Sequence, residues 1–160
     1  MVISSFAFCI LHSGCSHYSA SGSPYTHIRT VAVVPFSVDQ KVVEYGLVDL
    51  VTGAVEESLV VDNTLRVVDQ EKADALIRGT IIEARDEPFT YTSQEEAQQY
   101  RFRIEASVSY YDKQRQRAIW EKAIGGWGVY SANTGERERG RRAAAGMLAH
   151  EIIERVVSGW

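Results

Sequence analysis

The sequence is poor in cysteine, proline and long hydrophobic runs. Its 160 residues include 2 Cys, 3 Pro and 12 Gly, a composition that excludes collagen-like, low-complexity and disordered chains. No run of about 18 or more apolar residues occurs, so no transmembrane helix is predicted. Basic residues are not in excess, since the net charge is −4, which argues against a general nucleic-acid-binding protein. A hydrophobic content of 45% is typical of one globular domain.

Both cysteines, Cys9 and Cys15, lie near the amino terminus. Residues 2–11 are mainly apolar and match the h-region of a signal peptide in length, and small residues stand directly before the second cysteine. This pattern resembles a lipobox, although His12 stands where leucine is usual and no Lys or Arg precedes it. We predict a lipoprotein signal peptide over residues 1–14. The alternative is a buried amino-terminal strand that carries two free thiols.

Cleavage before Cys15 would remove Cys9 and leave the mature chain without a free thiol, which suits an oxidising periplasm. A triacylated cysteine buries many CH₂ groups, each worth about 0.8 kcal/mol, so the membrane anchor would be stable. Residues 15–27 comprise the acylated cysteine and small polar residues, and we predict a flexible tether there. Residues 28–160 are then expected to form a single domain.

Hydrophobic periodicity divides this domain into strands and helices. Continuous β-branched residues predict strands at 30–36 and 73–83, and spacings of three and four predict an amphipathic helix at 44–60. Strict alternation predicts a strand at 100–111, which a polar hairpin tip connects to an antiparallel strand at 117–131.

Residues 86–98 are rich in charged and hydroxyl residues and are predicted to be an exposed loop. Asn133 or Thr134 is expected to cap a last helix that stops near Gly159. A basic run at 137–142 alternates with acids and is expected on the solvated side of that helix. The predicted apolar stripe of the helix comprises Ala145, Leu148, Ala149, Ile152, Val156 and, at its edge, Met147.

The element order β-α-β-β-β-α predicts an α/β (α+β) two-layer sandwich. The first two long strands are connected through a helix, so they should be parallel, and the remaining strands should pair antiparallel. The result is a four-stranded mixed sheet with two helices on one face. The other face carries Arg, Glu, Ser and Tyr, so it is either in water or covered by a partner.

The sequence offers few residues for catalysis or metal binding. His12 lies in the predicted signal peptide, His17 and His27 lie in or beside the tether, and His150 stands alone on the last helix. No His-x-His, His-x-x-x-His or Cys-x-x-Cys spacing occurs, so no metal site or cofactor is predicted. We therefore expect that the protein is not an enzyme.

Three glycines, Gly125, Gly126 and Gly128, flank Trp127. A phosphate-binding loop would need a strand, then the glycines, then a helix. Here the glycines lie inside a predicted strand. A β-bulge or a close approach by another backbone segment is therefore favoured.

Five basic residues form the candidate binding site. Arg101 and Arg103 share the polar face of one strand, whereas Lys113, Arg115 and Arg117 surround the hairpin tip. Guanidinium groups hold phosphates and carboxylates in bidentate geometry, and neighbouring aromatic residues could support an amphiphile or a protein partner. The alternative is an ordinary charged edge that prevents aggregation.

Several segments, taken in order, resemble one family, the LPS-assembly lipoproteins LptE. Their order and spacing carry the resemblance, which covers nearly the whole predicted mature chain. The segments are residues 14–15, 28–36, 44–47, 65–69, 73–80, 88–91, 100–102, 119–121 and 153–160.

The resemblance implies a non-enzymatic outer-membrane lipoprotein that sits as a plug inside the β-barrel LptD, assists its folding and contacts lipopolysaccharide. It also implies the same two-helix, four-strand fold. Ser16 follows Cys15, and an Asp there would be the usual inner-membrane retention signal, so outer-membrane sorting is favoured. From charge and placement we assign the five basic residues to lipopolysaccharide phosphates. An alternative is an envelope lipoprotein that regulates a peptidoglycan synthase or forms part of a secretion channel.

Overall fold

The computed structural model describes residues 25–91, 97–132 and 135–158. Within these ranges the chain forms six strands and two helices. In chain order they are β1 (Thr30–Val33), β2 (Ser37–Val38), α1 (Leu47–Asp62), β3 (Arg66–Val67), β4 (Ala75–Tyr91), β5 (Ala97–Asp112), β6 (Arg117–Ser131) and α2 (Arg137–Ser158). The predicted signal peptide, Cys15, most of the tether and the predicted helix ends Asn133, Thr134 and Gly159 lie outside the described residues.

The sheet is mixed, with strand order β3-β1-β4-β5-β6 and β2 paired to β4. β1 runs parallel to β3 and to β4, so the predicted parallel pairing across a helical connection is confirmed. β4, β5 and β6 are antiparallel. The two-layer arrangement is also confirmed, but the sheet has six strands in the described ranges rather than four. The additional strands β2 and β3 have two residues each, too few for a periodic pattern to be visible.

The prediction of an exposed loop is wrong for residues 86–91 and 97–98, and residues 92–96 lie outside the described residues. β4 continues to Tyr91 and β5 begins at Ala97, and the two strands pair up to these two residues. Glu87 lies opposite Arg101, and such cross-strand charge pairs stabilise antiparallel strands without apolar residues. The described polar residues of this segment therefore lie on the solvent-facing side of strands and not in a loop.

Both helices pack their apolar stripes against one face of the sheet, which we call the inner face. α1 begins three residues later than predicted, after Gly46 with φ of 70°, and Asn63 with φ of 56° follows its last residue. In α2 the predicted stripe is buried, except that Met147 is 36% exposed and so was assigned wrongly. The buried helical residues are Leu47, Val51, Val55, Leu59, Gly140, Ala144, Ala145, Leu148, Ala149, Ile152, Ile153 and Val156.

Small residues allow α2 to lie directly on β6. A Cβ atom added to Gly126 would lie 2.6 Å from the backbone nitrogen of Leu148 and would also meet the carbonyl oxygen of Ala144. At Gly128 the added atom would meet the Gly140 carbonyl oxygen and the Ala143 Cβ. The prediction of a close approach by another backbone segment is therefore confirmed for these two glycines.

The domain has two distinct ends. The hairpin end contains the β5–β6 turn (residues 113–116), the start of β4 and the last turn of α2, where Ser158 lies beside Trp120. The distal end contains the end of β4, the start of β5 and the first turn of α2. Because Gly128 faces Gly140 and Gly126 faces Leu148, α2 runs from the distal end to the hairpin end.

Candidate functional site

The five predicted basic residues do not form one site. Arg101 and Arg103 lie near the distal end of β5, whereas Lys113, Arg115 and Arg117 lie at the hairpin end. Strands rise roughly 3.3 Å per residue, so Arg101 and Lys113 are about 40 Å apart along the strand. We call the first pair the distal group and the other three the hairpin group.

Arg101 lies in an aromatic and acidic environment on the outer face of the sheet, the face opposite the helices. Its guanidinium donates to Glu87, with Nη2 at 2.6 Å and Nε at 3.2 Å from Oε2. It also lies 5.7 Å from the ring centroid of Phe89 and 5.9 Å from that of Trp127, within the range of cation–π attraction. The two rings, each about two-fifths exposed, stack at 6.4 Å.

Hydrogen bonds from Arg101 and Arg85 keep the Glu87 carboxylate ionised. They lower its pKa below the ordinary value, and the bond from Arg101 is the larger cause. Arg85 pairs with both Glu83 and Glu87. The outer face at this end therefore carries alternating charges with two exposed rings among them, a surface suited to a polar or anionic partner.

Arg103 is less completely paired than its neighbour Arg101. Its Nη2 lies 3.9 Å from Glu105, and its buried Nε has no hydrogen-bond partner among the described residues. It lies opposite Arg85 on β4 and Trp127 on β6. The Arg103 side chain is 38% exposed and makes only this one long ion pair among the described residues, so its guanidinium, apart from the buried Nε, can still donate to a ligand.

In the hairpin group the basic side chains have different surroundings. The Lys113 Nζ donates to the carbonyl oxygens of Gln70 and Glu71 at 2.6 and 3.0 Å, which ties the hairpin to the β3–β4 loop. Arg115 lies over the Tyr25 ring at 5.5 Å and 3.8 Å from Asp112. Arg117 is exposed and has no side-chain partner in the part of the chain that the structure describes.

Sequence reasoning missed a buried carboxylate at the hairpin end. Asp112 has no exposed surface, accepts a hydrogen bond from the Arg115 backbone N–H at 3.0 Å, and lies 2.8 Å from the His27 Nε2. Burial alone would raise the pKa of Asp112, but these partners lower it below the usual value. The available signal was an aspartate in the alternating pattern directly before the turn.

Asp74, directly before β4, is a second carboxylate that accepts several hydrogen bonds. It accepts hydrogen bonds from the Arg29 and Thr30 backbone N–H groups, at 3.0 and 2.9 Å, and from the Thr30 hydroxyl at 2.7 Å. Burial opposes ionisation, but these bonds lower the pKa of Asp74. The two carboxylates fix the segment that leads into β1, including His27, which the sequence analysis assigned to the flexible tether over residues 15–27.

An ion-pair network joins the loop before α1 to the distal end. Arg137 donates to Glu44 at 2.5 Å and to Asp86 at 2.9 Å, and Asp86 also accepts from the Tyr130 hydroxyl at 2.6 Å. Burial and the Asp86 carboxylate raise the pKa of Tyr130 to about 12. Arg141 is only 14% exposed, so the prediction that the basic run 137–142 lies on the solvated side of the helix is wrong for this residue, whereas the paired Arg137 side chain is 40% exposed.

Within residues 25–91, 97–132 and 135–158, no group of three or more His, Cys, Asp or Glu is placed to hold a metal ion. The helices described in these ranges are not long and apolar enough to cross a membrane. On the outer face a shallow groove of about 460 Å³ is lined by six polar residues and by Val34, Pro35 and Gly79. The polar residues are Ser37, Thr80, Ser107, Ser109, Arg78 and Glu121.

Comparison with known protein families identifies the family of this chain. The family model for LptE, described as lipopolysaccharide assembly, matches residues 28–158. The chain belongs to the LptE family. The resemblance inferred from the sequence motifs is thereby confirmed, and the chain joins a non-enzymatic family of envelope lipoproteins that act in lipopolysaccharide assembly. No curated protein matches the chain in sequence.

Solved structures share the LptE fold at low sequence identity. A protein from Xanthomonas campestris has a TM-score of 0.66 at 10% identity, covering 82% of this chain and 85% of its own. A minor lipoprotein from Acinetobacter baumannii has a TM-score of 0.52 at 10% identity, covering 82% and 94%. PelC from Paraburkholderia phytofirmans, a dodecamer, has a TM-score of 0.51 at 14% identity, covering 79% and 86%. These likenesses concern the fold alone.

Proposed function

We propose that this member of the LptE family is an outer-membrane lipoprotein, acylated at Cys15, that plugs and helps to assemble the β-barrel LptD. In that position it assists the insertion of lipopolysaccharide into the outer leaflet. The family match over residues 28–158 carries the proposal. The protein acts through binding and needs no cofactor.

The outer face of the sheet supports this proposal. Its hydroxyl-lined groove and its alternating charges at Arg85, Glu87, Arg101 and Glu105 suit contact with a barrel interior, which is polar. Among the described aromatic residues near Arg101 and Arg103, the exposed rings are those of Phe89 and Trp127. A polar wall can therefore cover this face without leaving a large apolar patch in water.

Purification through a carboxyl-terminal tag, from native membranes in mild detergent, tests the plug proposal. We expect a large outer-membrane barrel to co-purify at roughly one-to-one, because a plug inside a barrel buries too much surface to dissociate readily. An unrelated tagged outer-membrane lipoprotein serves as the control. Recovery of a peptidoglycan synthase, or of a ring of this chain alone, would overturn the function and leave the fold intact.

Lipopolysaccharide contact by the five basic residues stays a proposal, and the structure divides its test into two parts. We expect Arg101→Gln with Arg103→Gln to weaken binding of purified lipopolysaccharide about tenfold or more, since hydrogen bonds to charged groups contribute roughly 1.5–3 kcal/mol each. The matched control is Arg139→Gln with Arg142→Gln on the exposed side of α2.

The hairpin group is tested separately, by Lys113→Gln, Arg115→Gln and Arg117→Gln. Combining all five substitutions should abolish binding. Unchanged affinity in that fivefold variant, with an unchanged urea midpoint to show that it is folded, would refute the assignment to lipopolysaccharide.

A further inference from the structure

We propose that the hairpin end is a membrane-docking surface that contacts the anionic phospholipid headgroups of the leaflet holding the acylated Cys15. This inference rests on the proposed acylation. It concerns the lipoprotein itself and does not require the barrel.

The segment that leads from the anchor is fixed to the hairpin end. His27 pairs with the buried Asp112 at 2.8 Å, and Arg115 lies over the ring of Tyr25. The Ile28 backbone N–H donates to the Tyr25 carbonyl at 2.9 Å, and the Ile28 side chain is buried in the core. The chain therefore approaches the domain at this end and not at the distal end.

The anchor cannot be far from this point. Nine residues separate Cys15 from Tyr25, so even a fully extended connection spans at most about 35 Å. A flexible chain of that length has an average span of about 17–19 Å. Strand β5 alone, with 16 residues, is about 50 Å long. The hairpin end is therefore the part of the domain held next to the leaflet.

Cations outnumber exposed acids at this end of the domain. Asp62, Asp69 and Glu71 are exposed there, against the exposed Arg29, Arg66, Lys72, Arg115 and Arg117. Arg29, Arg66 and Arg117 are exposed, and their side chains have no partner among the described residues. Asp74 and Asp112, at the same end, are turned to backbone N–H groups and His27. The chain as a whole is acidic, so these cations give one end a charge that complements an anionic lipid surface.

Apolar side chains lie at the same end. Val60 and Val61, in the last turn of α1, are 64% and 79% exposed. This turn leads directly into β3, which carries Arg66. Exposed aliphatic side chains beside cations are typical of protein surfaces that enter the interfacial region of a bilayer.

Fluorescence quenching in vesicles tests the proposal on the full acylated chain. Gln114→Cys places a probe at the hairpin end and Ala132→Cys places one at the distal end, and both positions are exposed. The vesicles contain phosphatidylethanolamine and phosphatidylglycerol with a nitroxide-labelled lipid, and no lipopolysaccharide. We expect strong quenching at position 114 and little at position 132.

Charge variants then test the contact itself. Each cation near an anionic surface is worth about a fivefold change in equilibrium, so Arg29→Gln, Arg66→Gln and Arg117→Gln together should weaken docking about a hundredfold. Replacing the anionic vesicles with neutral phosphatidylcholine vesicles should weaken the docking of the unmodified chain in the same way. The matched control is Lys41→Gln, Arg139→Gln and Arg142→Gln, all of them exposed cations elsewhere.

Two failures can be told apart. If mass spectrometry finds no acyl chains on Cys15, the proposed anchoring is wrong. If the chain is acylated but positions 114 and 132 are quenched equally, or quenching at 114 is the same in neutral vesicles, the docking surface is wrong and the proposed function is untouched.

Discussion

Replacing Gly126 by alanine should destabilise the domain by about 3 kcal/mol, because overpacking at a rigid contact costs roughly 1–3 kcal/mol or more. The added methyl group would lie 2.6 Å from the Leu148 nitrogen and 2.8 Å from its Cβ. These atoms belong to the backbone and the first side-chain carbon of α2, so they cannot move unless the whole helix shifts. Such a shift would open the core between α2 and β6. The decrease is measured as a lower midpoint of urea unfolding.

The neighbouring Gly125 provides the matched control. It lies on the outer face, where an added Cβ would make an ordinary 3.6 Å contact with the Ile104 carbonyl oxygen. Gly125→Ala changes the same strand propensity and should alter stability by no more than about 0.5 kcal/mol. Equal midpoints for the two variants would contradict the close packing of α2 on β6.

The core of this fold could be predicted because burial imposes a period on the sequence. The alternation of Phe102, Ile104, Ala106 and Val108 places all four on the inner face, where they are fully buried. The stripe of α2 is visible for the same reason. The short strands β2 and β3 have no such period, and their pairing with β4 and β1 follows from the positions of the longer strands.

The candidate site was harder to predict because charge partners depend on register. Arg101 and Glu87 are 14 residues apart in the chain, and they meet only because β4 and β5 pair with that offset. The same pairing turns a segment that reads as a loop into strands. Sequence alone could therefore identify basic residues, but it could not divide them into two distant groups or find the partners that neutralise them.

The acid at the end of β5 shows the same limitation. Asp112 continues the inward-facing positions of the strand, where an apolar residue is expected, and its partner His27 lies 85 residues earlier. A buried carboxylate is stable only when it is hydrogen-bonded. Because the Asp112 carboxylate needs hydrogen bonds from His27 and from the backbone of the turn, the segment before β1 is packed against the hairpin.

Asp112→Ala should therefore destabilise the domain by about 2–3 kcal/mol at neutral pH, because the Arg115 N–H loses its acceptor and His27 loses its partner. Asp112→Asn keeps one oxygen for the turn and should cost less. Asp69→Asn is the control, since Asp69 is 82% exposed. A loss no greater than that of the control would contradict the structural role of the carboxylate.

Asp112→Asn should also make the stability of the fold less sensitive to acid. The pKa values of Asp112 and Asp74 are lower in the folded protein than in the unfolded chain, so the folded state favours the ionised carboxylates. Their contribution to the free energy of unfolding is complete above about pH 4 and is lost as the pH falls further. Asp112→Asn removes one of the two groups, so its urea midpoint should fall less between pH 5 and pH 3 than that of the unmodified chain. An equal fall in both proteins would mean that the hairpin carboxylate does not contribute to acid unfolding.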